Sequence, residues 1–118
     1  MPGMGMPPTT AIDPMADPTL AEIVRRLVET YHPLRIYLFG SRARSAATVD
    51  SDYDLMVIVS DDIPPSLHRG GRAYEVLWGL STGADVLVWT ESSFSKRLHL
   101  RASLPSTVLR EGRLLYSI

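Results

Sequence analysis

The sequence predicts a small α/β or α+β layer fold around a sheet of three or four strands, and three observations carry that reading. Helical and strand periods alternate along the chain, its 118 residues suit one domain, and 45% of them are apolar. A chain of this length and composition buries roughly two thirds of the surface its unfolded form exposes. It is expected to fold alone.

Each element has a local reason. Residues 1–16 are rich in Pro, Gly and Met without any period, so they are expected to form a disordered N-terminal tail, with residues 17–118 as the folded domain. Asp17 followed by Pro18 signals a helix start, because the carboxylate accepts orphan N–H groups and proline at the first helical position loses nothing. Leu20, Ile23, Val24, Leu27, Val28 and Tyr31 then recur at helical spacing until Pro33. Residues 34–39 read as a strand ended by Gly40, residues 41–47 as a two-turn helix, residues 47–51 as a polar turn, and residues 54–60 as a buried strand.

Residues 61–71, with two prolines and two glycines, suit a loop. Ala73, Val76, Leu77 and Leu80 repeat at helical spacing, and residues 84–90 form a third strand in which Val86 and Val88 alternate with Asp85, Leu87 and Trp89. Phe94, Leu98, Arg101 and Ala102 suit another helix that Pro105 interrupts. Residues 108–110 lead to Gly112 and a last apolar stretch, residues 114–116. Trp78 and Trp89 lie on apolar patterns and are expected in the core.

Composition narrows the function. A net charge of −1 gives no field able to hold a long polyanion, so no direct nucleic-acid partner is expected and any phosphate must be held locally. The absence of cysteine excludes a disulfide framework, thiolate metal sites and a Cys nucleophile, and points to the cytoplasm. The longest apolar run, residues 55–59, is far short of the ~20 residues that span a bilayer, and no signal peptide is expected.

The chemistry concentrates in residues 39–59, FGSRARSAATVDSDYDLMVIV. A strand ending in Gly40 and Ser41 and opening into a helix offers free backbone N–H groups to an anion, and Arg42 and Arg44 add charge within one turn. Asp52 and Asp54 stand two apart at the mouth of a strand, so their carboxylates share a face and repel unless a cation sits between them. Magnesium suits hard oxygen ligands shared with substrate phosphates. Each piece alone is commonplace, since a Gly-Ser pair is a frequent turn and Asp often precedes a strand. Asp85 changes the weighing, because an Asp inside an apolar strand is expensive unless paired or metal-bound. If its strand lies beside that of Asp54, the carboxylates converge and suit two metal ions with a nucleoside triphosphate.

Gly40-Ser41, ten intervening residues, Asp52-x-Asp54 and the later Asp85 together resemble the signature of the DNA polymerase β-like nucleotidyltransferase superfamily. In a chain this small, GSRARS…SDYDL resembles the minimal nucleotidyltransferases (MNT) of prokaryotes, as does the ending REGRLLY, with Ser45 departing from the Gly that many relatives carry. The resemblance implies an α+β nucleotidyltransferase-like fold with a mixed sheet packed against helices. It implies transfer of a nucleotide from Mg·ATP, with two Mg2+ ions expected, to an acceptor hydroxyl. Asp52 and Asp54 would bind the metal ions, Asp85 would complete the nucleophile-side metal and help deprotonate the acceptor, and Gly40, Ser41, Arg42 and Arg44 would hold the nucleotide phosphates. The implied setting is a toxin–antitoxin pair, in which the MNT antitoxin transfers AMP to a tyrosine of a HEPN ribonuclease toxin and forms a hetero-oligomer with it.

Other readings compete. One is an antitoxin that acts by binding alone; another is transfer to a small molecule, which usually needs an added domain. His32, His68 and His99 show no ligand spacing, so the metal reading rests on carboxylates. Lys96, Arg97 and Arg101 suit a solvated basic face, with partner contact the alternative, and Tyr74, Leu114 and Leu115 are candidates for a partner surface.

Overall fold

The computed structural model describes residues 17–40, 53–64, 73, 75–80 and 83–118. In chain order the elements are α1 (Pro18–Tyr31), β1 (Arg35–Phe39), β2 (Tyr53–Val59), β3 (Ala84–Thr90), α2 (Glu91–Ser95), α3 (Leu104–Glu111) and β4 (Arg113–Ser117). The strands form one mixed sheet in the order β3-β2-β1-β4. The β1–β2 and β1–β4 pairs are antiparallel, whereas β2 and β3 run parallel. This is the mixed α+β architecture that the sequence predicts.

Alternation along β2 splits the core into two layers. Tyr53, Leu55, Val57 and Val59 face the α1 side, where Leu20, Ile23, Val24 and Leu27 pack against them with Ile36 and Leu38 of β1. Met56 and Ile58 face the other way, onto Phe94 and Val108. Because both faces of β2 are covered, it reads in sequence as an unbroken apolar run.

Capping fixes where α1 begins and ends. Asp17 Oδ1 accepts the N–H groups of Thr19 and Leu20 at 3.0 and 3.3 Å, with Pro18 in the first turn, a cap worth about 1 kcal/mol. His32 adopts the left-handed conformation (φ 46°) and donates its N–H to the Val28 carbonyl at 2.9 Å, and Pro33 prevents any further turn.

On the opposite layer Phe94 stacks on Tyr37 with ring centroids 6.0 Å apart. The Arg35 guanidinium lies 5.8 Å from the Phe94 centroid and pairs with Glu91. Here the structure corrects three expectations. Helix α2 stops at Ser95 and continues as turns, so residues 94–102 are not one helix. Pro105 opens α3 instead of interrupting a helix, because Ser103 caps it and proline is tolerated in the first turn. Trp78 is 73% exposed, not core: Leu77 and Leu80 turn toward the α1-side core, and the neighbouring position points away from it. The predicted tail (1–16), the predicted helix at 41–47 and the polar turn at 47–51 lie outside the described residues. Among the described residues no helix is long and apolar enough to cross a membrane.

Candidate active site

β1 delivers Gly40 to one end of the sheet, and the antiparallel register pairs its neighbour Phe39 with Asp54. The parallel register pairs Asp54 with Asp85, so both side chains leave the same face of adjacent strands, whose backbones run about 4.8 Å apart. That face is the one carrying Met56 and Leu87, opposite to α1. Gly40, Asp54 and Asp85 are thus gathered at one end of the sheet from three chain segments.

Any side chain at position 40 is strained and displaces Asp54. The Gly40 φ of +75° disfavours any L side chain, and a Cβ would lie 2.2 Å from Asp54 Oδ2 and 3.1 Å from its Cγ. The Asp54 carboxylate is therefore seated against the backbone of the strand end that was predicted to receive phosphate.

Tyr53 holds the start of β2 in place. Its N–H donates to the Gly83 carbonyl at 3.1 Å, joining the entrances of β2 and β3 just before the Asp54–Asp85 pair. Its hydroxyl donates to Asp17 Oδ2 at 2.5 Å, so one carboxylate both caps α1 and ties the helix to the strand. Sequence reasoning assigned Asp17 only the cap and gave Tyr53 no role. The available signal was an aromatic residue between two acids, whose alternation turns it to the apolar face.

Asp85 is exposed, at the second position of β3, which overturns the burial argument made for it from sequence. Only the middle and end of β3 are packed between layers, so a charge at its entrance reaches solvent. What brings Asp85 to the site is register, not the expense of burying it. Ser41, Arg42, Arg44 and Asp52 lie outside the described residues. Among the described residues no three His, Cys, Asp or Glu side chains converge into a metal-binding group. The donor pair that is described, two carboxylates on one face, fits a hard divalent cation that is completed by substrate oxygens.

A family model, that of the nucleotidyltransferase domain, matches residues 18–115 and so spans both acidic strands and Gly40. The chain belongs to the nucleotidyltransferase domain family. Its fold is shared with solved structures at low identity. One is a toxin–antitoxin crystal structure with AMP-PNP, at a TM-score of 0.58 and 20% identity over 83% of this chain and 73% of that one. Another is a mutant of the toxin–antitoxin pair MntA–HpeT, at a TM-score of 0.57 and 18% identity over the same shares. A third is the tri-AMPylated Shewanella oneidensis HEPN toxin in complex with its MNT antitoxin, at a TM-score of 0.52 and 19% identity over 83% of this chain and 69% of that one. These structures share the α+β nucleotidyltransferase-like fold expected from the sequence. No curated protein matches the chain.

Proposed function

We propose that this nucleotidyltransferase is the antitoxin of a HEPN/MNT-type pair, transferring AMP from Mg·ATP to a tyrosine of its HEPN partner. The observation that carries the reading is the Asp54–Asp85 pairing on one sheet face beside the left-handed Gly40. The printed descriptions of the similar structures support it: one contains AMP-PNP, and another a tri-AMPylated HEPN toxin bound to an MNT antitoxin.

In this reading Asp52 and Asp54 would hold Mg2+ at the nucleotide phosphates, with Asp85 completing the metal site on the acceptor side. Bound magnesium would neutralise phosphate charge and help align the triphosphate. The acceptor oxygen forms a bond to the α-phosphorus, the bond from that phosphorus to the bridging oxygen breaks, and pyrophosphate leaves with the electron pair. Asp85 takes the acceptor proton; a general base of this kind contributes ~10²-fold or more. Gly40, Ser41, Arg42 and Arg44 would hold the departing phosphates, the arginines countering their charge. The partner positions its own hydroxyl for in-line attack, and the reaction runs in the cytoplasm, where Mg·ATP is plentiful.

The test is intact mass of the partner after incubation with this chain and Mg·ATP. The wild type should add one or more AMP units, and Asp54→Asn should lower the rate at least ~10²-fold while leaving the fold intact, since the amide keeps the shape and loses the charge. If Asp54→Asn modifies the partner at the wild-type rate, the site assignment fails. If neither protein adds mass yet both neutralise the toxin, binding without chemistry replaces this reading.

A further inference from the structure

The charges of this molecule are handled in two different ways. On α1, Arg25 bonds Glu22 and Glu29 and Arg26 bonds Glu22, all at 2.7 Å, while Arg35 pairs with Glu91. Residues 92–118 instead hold five cations against one carboxylate side chain, Glu111. Among the described residues, Lys96, Arg97, Arg101 and Arg110 are exposed and form no ion pair.

Two of these guanidinium groups are nevertheless held in place. Arg97 lies 5.4 Å over the Trp89 ring and donates to the Ser93 carbonyl at 3.2 Å. Arg110 donates to Ser106 Oγ at 2.8 Å and to the Arg101 carbonyl at 3.1 Å, which fastens α3 to the preceding turn. Ser103 Oγ closes that turn by donating to the Arg97 carbonyl at 2.7 Å. Leu100 and Leu109, 51% and 47% exposed, are chain neighbours of Arg101 and Arg110. An ordered guanidinium with no carboxylate partner loses less freedom when it meets an anion, and Arg mixed with exposed apolar side chains is the composition of a protein interface.

We propose that the surface formed by the turns of residues 96–101 and the end of α3 docks an acidic, leucine-accepting face of a partner protein. Charge complementarity selects an anionic partner. The leucines among the cations, and a net charge of −1 that cannot hold a long polyanion, favour a protein over a nucleic acid. The proposal rests on the functional reading only in that both require a partner chain; the docking surface lies on residues 96–101 and α3, outside the residues assigned to catalysis.

The test titrates the full chain with three fluorescein-labelled probes: a Glu/Leu peptide, a Glu/Ser peptide of equal charge, and oligouridylate. The Glu/Leu peptide should bind most tightly. Arg101→Glu combined with Arg110→Glu should weaken it at least tenfold, and Leu100→Ser combined with Leu109→Ser should weaken it to the level of the Glu/Ser peptide. Arg25→Gln, which removes a cation already paired, should leave affinity unchanged. All variants should keep the wild-type rise in Tm with Mg·ATP, which separates loss of docking from loss of the nucleotide site. Equal binding by the Arg101/Arg110 variant, or tightest binding of oligouridylate, overturns the proposal, whatever becomes of the catalytic reading.

Discussion

The two faces of the sheet do different work although the same strands build both. Toward α1, β2 presents Leu55, Val57 and Val59 to a helix whose buried positions are apolar and whose outer charges are paired. On the other face the same strand presents Asp54, then Met56 and Ile58, beneath α2 and α3, and the chain between those helices carries exposed cations that form no ion pair. One face holds its charges in internal pairs and contributes mainly stability. The other carries the Arg35–Glu91 pair, but also the Asp54–Asp85 pairing and cations with no carboxylate partner, and those are the groups that can act on another molecule.

The contrast can be broken in both directions. Gly40→Ala should show the largest effect: the strained φ alone costs about 1–3 kcal/mol, and displacing the Asp54 carboxylate by even 1 Å should slow transfer about 10²-fold. Kinetics of partner modification, alongside a urea melt of the same sample, check both effects. A variant with normal kinetics would show that the seat of Asp54 against Gly40 is irrelevant to chemistry. On the α1 face, Leu27→Ala should cost about 2–5 kcal/mol, because Leu27 is fully buried and the cavity cannot collapse completely. Transfer per folded molecule should stay unchanged below the melting temperature. If the rate falls with stability intact, the two faces are coupled and the division of labour is wrong.

The smallest effect concerns the paired charges. Hydrogen bonds from Arg25 and Arg26 hold the Glu22 carboxyl at about 2, down from its ordinary 4.5. A depressed folded value means that this contribution is fully present above pH 4.5 and disappears as pH falls through about 2. Because the network is on the surface, the difference in urea midpoint between wild type and Glu22→Gln should be small at pH 6 and shrink steadily toward pH 2.5. Adding 0.5 M salt at pH 6 should also shrink it. A difference that grows on acidification would contradict the pairing.

Much of this was legible from local patterns. Asp17-Pro18 marks the start of α1, its apolar spacing marks the buried face, and the run Leu55 to Val59 marks a strand covered on both sides, since all three are set within a few residues. Gly40 was legible as a strand end for the same reason. The misread elements share a different feature. Whether Pro105 breaks or opens a helix depends on Ser103, and whether Trp78 is covered depends on which neighbours its helical stretch meets.

The sequence by itself determined α1, the strands β1 to β3, their apolar periodicities and the identity of the acidic residues, because these follow from side-chain chemistry and spacings of two to four residues. Only the tertiary structure decided that β2 and β3 pair in parallel with Asp54 opposite Asp85, that Asp54 rests on Gly40, and that Tyr53 reaches back to Asp17. Strand register is a contact between segments some thirty residues apart, and a slip of one residue would turn Asp85 to the opposite face of the sheet. No local pattern fixes that choice; the competition between packing arrangements of the whole core does.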